Sequence, residues 1–421
     1  MNGLVIQHSA AILAIDLGKF NSMCCFYDPG GNHVFQTVPT DRDYLRSFLL
    51  AQDVELVVFE ACGPSGWLSD LCHELKLKTF VCSTNEEAWK WKNVKRKTDK
   101  DDAVKLAQMA TLGGLKSVHV PTPTVRELRG LVKYRKSLDQ RINRLKNSIR
   151  SSFANHGIPI DAGKRAWCSG RSRLDEHRKS IQDCLPHEFW RGQLDNDLAQ
   201  LDFITGQLKA VESRLDQLAK TNEHVQRLMT IPGVGRKTAE TIVATIDDPH
   251  RFKNAREVSS YAGLVPKQYQ SGQTDRHGRI TKRGSRLLRT MLVECAWVSI
   301  RYNRWAKQTY ERIHGGQVTR RKKAGIALAR KLLVVAWAMM RDKTEWQPHQ
   351  LLPADQADDS AIKVTQGPNL PPGELRHLPK HLRGETSPEP NPVDSGCLTE
   401  ECSPADSVSL TEEPPQATAS T

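Results

Sequence analysis

Among ten cysteines no two are spaced Cys-x-x-Cys, and no Cys/His cluster has zinc-ligand spacing. A structural zinc site is therefore not expected. Cys24, Cys62, Cys72 and Cys82 fall in apolar strand or helix patterns, where a reduced thiol behaves as a small hydrophobe. That usage fits a reducing compartment. The N-terminus lacks a charged segment followed by a long apolar run, and no apolar stretch approaches the length of a membrane span. The expectation is a soluble intracellular protein without a membrane partner.

What the chain does hold is positive charge, unevenly placed. From Leu351 onward there are 12 acidic and 4 basic side chains, so the preceding body carries 57 basic against 36 acidic. Its net charge is +21, against +13 for all 421 residues. A body that basic implies a polyanionic partner, nucleic acid before a membrane surface. The length suits two or three domains with a sizeable core.

Residues 9–120 read as an α/β domain. The run Ala10 to Asp16 has the small and branched apolar pattern of a buried strand. Ser22–Tyr27 and His33–Val38 follow across tight turns, giving an antiparallel meander. A helix around Tyr44–Leu49 leads to a second buried strand, Glu55–Glu60, then a helix over Trp67–Leu75 and a strand over Lys78–Cys82. The basic stretch Lys90–Lys97 runs into a helix that opens with Asp99, Asp101 and Asp102.

Asp16 and Glu60 each end a candidate core strand at its carboxyl end, where open sheets place their sites. Asp99 and Asp102 lie three apart, so one helical face carries both. An acid at a strand end is also a common turn former, and an acidic first turn suits the helix dipole. Taken together, the four supply the oxygen-only ligands that two Mg²⁺ ions need, and a metal pair can clamp a phosphate. Asp101 points away from the Asp99/Asp102 face and reads as solvent-exposed.

Residues 121–222 form a helical, coiled-coil-like middle. Leu128, Leu131, Leu138, Ile142, Leu145 and Ile149 keep three-four spacing, with Arg135 interrupting the seam. Leu201, Ile204, Leu208, Val211, Leu215 and Leu218 form a second such run. An intramolecular hairpin and a coiled coil between subunits both satisfy this pattern. The stretch between the two runs, to about Pro186, gives weak periodicity and stays unassigned.

Residues 223–345 read as a mainly helical domain. Ile231-Pro232-Gly233-Val234-Gly235-Arg236-Lys237 has the form of a helix-hairpin-helix, whose glycines and helix N-terminus suit a nucleic-acid backbone. Gly233, Gly235, Arg236 and Lys237 are candidate contacts, as are Arg276, Lys282 and Arg283 in the basic segment further on. An ordinary helix joint has the same pattern. Residues 346–421, rich in Pro, Ser, Thr, Glu and Asp, read as a disordered acidic tail.

Ile15-Asp16-Leu17-Gly18-Lys19, Phe59-Glu60-Ala61-Cys62-Gly63 and Lys97-Thr98-Asp99, with Asp102-Ala103 after it, resemble the DEDD transposases of the insertion-sequence-110 family. The resemblance covers residues 9–345. It implies a RuvC-like, ribonuclease-H-type first domain in which Asp16, Glu60, Asp99 and Asp102 hold Mg²⁺. It also implies a C-terminal transposase domain with Ser271, in its Ser271-Gly272 context, as nucleophile. From the residues alone Ser271 is not separable from Ser259, Ser260 or Ser285.

The family further implies a coiled coil between the two catalytic parts and a composite site built by a homo-oligomer, a dimer or tetramer. DNA (element ends and target) and a structured guide RNA are the implied partners. The implied location is a bacterial-type cytoplasm, in association with the nucleoid. A junction-resolving nuclease that uses water, and a nucleic-acid-binding scaffold with structural acids, are the alternative readings.

Overall fold

The apolar run that the sequence marks as a buried strand becomes the centre of a five-stranded sheet. In the computed structural model, which describes residues 9–348 except 29, 84–97, 114 and 272–273, this strand is β1, Ser9–Asp16. Asn21–Tyr27 (β2) pairs antiparallel with β1, and His33–Pro39 (β3) pairs antiparallel with β2. After Arg42–Leu50 (α1) the chain returns as Asp53–Glu60 (β4), parallel to β1. Ser65–Glu74 (α2) then crosses to Thr79–Cys82 (β5), parallel to β4. The strand order is β3-β2-β1-β4-β5.

Each face of this sheet is sealed by helices. Leu45, Phe48 and Leu49 of α1 pack with Leu68, Leu71 and Cys72 of α2 against Leu13, Ile15 and Phe59. Burying such a side chain contributes about 1.5–3 kcal/mol. On the other face Asp99–Thr111 (α3) lays Ala103, Leu106 and Ala107 over Ile12, Ala14, Cys25 and Val58. The two alanines let this helix approach the sheet closely.

Pro123–Asn155 (α4) and Phe189–Thr221 (α6) are 33 residues each and pair with one another within the chain. Ile149 and Phe153 meet Leu194, Leu198 and Leu201 near one end, and Val132 meets Leu215 near the other, so the helices run antiparallel. The connection between them has order of its own, including the short helix Arg171–Asp175 (α5). Arg171 bridges to Asp202 of α6 at 2.8 Å, and Arg178 to Asp195 at 2.6 Å.

The C-terminal part is a helical cluster: Glu223–Met229 (α7), Arg236–Ile246 (α8), Ala255–Tyr261 (α9), Arg286–Tyr302 (α10), Arg304–His314 (α11) and Arg321–Asp342 (α12). Trp305 and Trp337 are buried in its core, and Trp297 and Tyr310 pack edge to face. Trp346, just past the last helix, packs on Trp305, and its N–H donates to Thr230 Oγ1 at 3.0 Å. The packed unit thus runs past residue 345. The rest of the expected acidic tail, from 349, lies outside the described residues, as do Lys90–Lys97 and Gly272.

Inserted in this mainly helical part is a two-stranded ribbon, Pro266–Ser271 (β6) and Thr274–Ile280 (β7), antiparallel. Its foot is a tight crossing. A Cβ on Gly263, at φ +68°, would fall 2.1 Å from the Arg283 carbonyl oxygen, and one on Gly284, at φ +72°, 2.0 Å from that of Tyr261. Only glycine fits at either position. Arg289 Nη1 donates to the carbonyls of Ala262 at 3.1 Å and Arg283 at 2.6 Å, fastening the crossing to α10.

Candidate active site

Register brings the first two acids together. Ile15 pairs with Phe59 across the parallel β1–β4 ladder, so Asp16 and Glu60, the next residues, end neighbouring strands side by side. Adjacent strands are about 4.8 Å apart. Both side chains are half-buried. Their shared field is felt by Cys62, whose thiol is pushed up by burial and by the charges of Glu60 and Asp16. Burial, and then the Glu60 charge, push Cys82 up to about 12. Cys62 is itself exposed in the turn after β4, which corrects its reading as a packed apolar residue, whereas Cys24, Cys72 and Cys82 are buried.

Thr98 caps α3, its hydroxyl accepting from the Asp101 N–H at 3.2 Å and donating to Asp101 Oδ2 at 2.7 Å. Asp101 is therefore occupied in the helix cap and exposed, as its sequence position suggests. Asp99 is exposed at the first residue of the helix and Asp102 is half-buried one turn on. Lys100 sets its ammonium 5.3 Å from the centre of the Phe35 ring, which ties this turn to β3.

Among the described residues no group of three or more His, Cys, Asp or Glu side chains stands close enough to hold a metal ion. The strand ends join Asp16 with Glu60, and α3 carries Asp99 with Asp102, but neither helix acid joins the strand pair in a group of three. The donor chemistry of the strand pair, two oxygen ligands at adjacent strand ends, suits a hard divalent cation.

Ser271 ends β6, exposed, and is paired in register with Thr274. Arg276 is exposed on β7; Lys282 and Arg283 are exposed at the foot of the ribbon, where Lys282 takes a left-handed φ of +58°. The expected helix-hairpin-helix turn joins α7 to α8. Its Gly233, at φ +95°, faces α10, and a Cβ there would lie 2.5 Å from Ser299 Oγ. This glycine serves helix packing. Gly235 is exposed with open space around it.

The two cations after the turn are engaged within the chain. Arg236 pairs with Asp216 of α6 at 2.7 Å, and Lys237 pairs with Glu212. No local pattern signals these pairs, because both carboxylates sit on α6's heptad helix at positions that resemble ordinary solvated ones. A cleft of about 460 Å³ between α4, α8 and α10, lined by Arg129, Lys133, Tyr261, Ser285 and Arg286, was also not foreseen. Only the four-residue spacing of Arg129 and Lys133 on α4 hinted at it.

The chain thus joins an α/β domain with paired strand-end acids to a helical domain that carries an exposed polar ribbon. A transposase model of the DEDD IS110 type matches residues 13–156, and a model described as "Transposase IS116/IS110/IS902 family" matches residues 225–311. The chain belongs to the IS110 family of transposases and is a DNA transposase enzyme.

It is 28% identical over 345 residues to the transposase for insertion sequence element IS1111A of Coxiella burnetii, covering 78% of this chain and 89% of that one. The transposase for insertion sequence element IS1328 of Yersinia enterocolitica is 25% identical over 351 residues, covering 80% and 98%. A pilin gene-inverting protein of Moraxella bovis is 27% identical over 250 residues, covering 59% of this chain and 67% of its own. No helix among the described residues is long and apolar enough to cross a membrane.

Proposed function

We propose that this transposase excises and inserts its own mobile element by Mg²⁺-dependent strand exchange with Ser271 as nucleophile. The observation that carries the reading is the placement of Asp16 and Glu60 at adjacent carboxyl ends of β1 and β4. The sheet order β3-β2-β1-β4-β5, with one antiparallel meander and two parallel crossovers, supports a RuvC-like, ribonuclease-H-type assignment for residues 9–120. Residues 121–222 then separate the acids from the serine domain, residues 223–345.

Asp16 and Glu60 would hold the cation, and Asp99 and Asp102 would complete its ligands on the DNA-bound protein. Two Mg²⁺ ions held there would supply polarisation of the scissile phosphate and offset developing charge. The Ser271 hydroxyl oxygen bonds to phosphorus, its proton leaves with the departing sugar oxygen, and a phosphoserine diester conserves the bond energy for rejoining. A homo-oligomer, dimer or tetramer, brings the acids of one subunit to the serine of another. The described residues form no base-reading motif that the sequence reveals, which supports delegating target choice to a structured guide RNA.

The test is covalent capture. Labelled DNA spanning the flanks of the gene, incubated with full-length protein, Mg²⁺ and RNA transcribed from those flanks, is expected to give an SDS-stable protein–DNA adduct. Ser271→Ala abolishes the adduct while DNA binding persists. Cleavage without an adduct, equal in wild type and Ser271→Ala, replaces this reading with that of a water-using junction nuclease.

A further inference from the structure

Tyr269 lies on β6 two residues before Ser271, 55% exposed, on a strand whose every residue is exposed. Such a ribbon has no core for an aromatic ring to fill, so packing does not account for it. Directly across the ladder from Tyr269 is Arg276, and across from Ser271 is Thr274. Opposed residues of an antiparallel pair project from the same face, and alternate residues of one strand share that face. Tyr269, Ser271 and Arg276 therefore stand together.

The ring has a prepared seat. A Cβ on Gly278 would fall 2.9 Å from Tyr269 Cε2 and 3.6 Å from Lys267 Cβ, so the absent side chain is what lets the ring lean over β7. The ribbon's acid is held on the other face, where Gln268 Nε2 donates to Asp275 Oδ1 at 3.2 Å. The face with Tyr269 presents Lys267, Arg276 and Ser271 and no described carboxylate.

We infer that this face is a stacking platform: Tyr269 takes an unpaired base of the DNA strand under attack, and Arg276 takes the backbone phosphate beside it. The inference rests on Ser271 being the nucleophile. A base stacked on an aromatic ring is held whatever its identity, which suits an enzyme whose sequence choice comes from elsewhere. A two-stranded ribbon also fits the width of the major groove. Residues two apart on a strand are separated by about 7 Å, so a base on Tyr269 leaves the phosphate of the next nucleotide within reach of Ser271. DNA is favoured over RNA because the platform shares its face with the serine.

The experiment is photocrosslinking with full-length Ser271→Ala protein and a single-stranded oligodeoxynucleotide containing 5-iodouracil, the adduct being located by mass spectrometry. A crosslink on Tyr269 is expected, retained by Tyr269→Phe on Phe and lost in Tyr269→Ala. Affinity for the same oligonucleotide at fixed salt should fall about tenfold in Tyr269→Ala and stay near wild type in Tyr269→Phe. Gly278→Val, which displaces the ring without removing it, should lose the crosslink as well.

Adducts confined to other residues, or formed only with the matching oligoribonucleotide, overturn the inference, as does unchanged affinity in Tyr269→Ala. Because the nucleophile is absent, the outcomes separate. A Tyr269 crosslink with no phosphoserine in the wild-type protein removes the serine and keeps the platform, whereas phosphoserine without the crosslink does the reverse.

Discussion

Arg135 of α4 donates to Glu240 of α8 across 105 residues of sequence, with their side chains only 8% and 4% exposed. Glu240 also forms a longer ion pair with Arg236 at 3.4 Å, and Arg135 donates to the Lys237 carbonyl at 3.4 Å. This buried pair joins the helical hairpin to the C-terminal cluster. Removing Arg135 leaves the buried Glu240 with only the longer Arg236 contact, so Arg135→Met is expected to cost about 3–5 kcal/mol in denaturant unfolding. The double variant Arg135→Met, Glu240→Leu should recover part of that loss. A double variant no more stable than the single would show that the pair's charges are not what matters.

At the turn before α8, Gly233 and Gly235 make a controlled comparison. Gly233→Ala demands a left-handed conformation and sets a Cβ 2.7 Å from Ser299 Cα, so it should destabilise by about 2–4 kcal/mol. Gly235→Ala, at φ −83° with open space around it, should cost less than about 1 kcal/mol. Equal melting temperatures for the two variants would contradict the packing role of Gly233.

Acid should loosen the connection between α4 and α6. The hydrogen bond from Lys179, followed by one from the Leu185 N–H and a third from Arg191 at 3.1 Å, pulls the Glu188 carboxyl down to about 2. A carboxylate lowered on folding adds stability that is fully present above its ordinary value of 4.5 and is lost as pH falls toward 2. Trp190 beside it, 5.8 Å from Phe153 between ring centres, reports the change. Glu188→Gln lacks this contribution at every pH, so its fluorescence should differ from wild type above pH 4.5 and the two should converge as pH falls toward 2.

Asp16→Asn keeps size but removes the charge proposed to hold Mg²⁺. Strand cleavage should fall at least about 100-fold while DNA binding persists, and chelation of Mg²⁺ should have the same effect. Asp101→Asn is the matching control, since that acid serves the Thr98 cap and its loss should leave cleavage intact. Equal cleavage by Asp16→Asn and wild type would remove the strand-end acids from the chemistry.

The elements legible in the sequence were those whose order comes from local apolar pattern. β1 and β4 were readable because Leu13, Ile15, Val57 and Phe59 are packed on one face of the sheet and Ile12, Ala14 and Val58 on the other. α4 and α6 showed their heptads, and the two helices pair with one another within the chain. Two regions were invisible for a physical reason. Residues 157–188 are held by ion pairs such as Arg171–Asp202 and Arg178–Asp195, which leave no periodic trace. The ribbon Pro266–Ile280 is polar on both faces and lacks the alternation that betrays a half-buried strand.

Of the site, Asp16 and Glu60 were legible because a carboxylate closing an apolar run stands out. The partners of Arg236 and Lys237 were not, because Asp216 and Glu212 look like ordinary solvated positions on a long helix. Arg135, which read as a break in the heptad seam, is answered by an acid more than a hundred residues away.

The glycine crossing beneath the ribbon has a mechanical corollary. With Gly263 and Gly284 jammed against backbone oxygens and Arg289 riveting both to α10, the mast that carries Ser271 has no pivot of its own. With Ser271 as the proposed nucleophile, bringing its hydroxyl onto a phosphate would carry the whole C-terminal cluster with it. Its reach would then depend on how the joint at Arg135 and Glu240 is held, far from the tip.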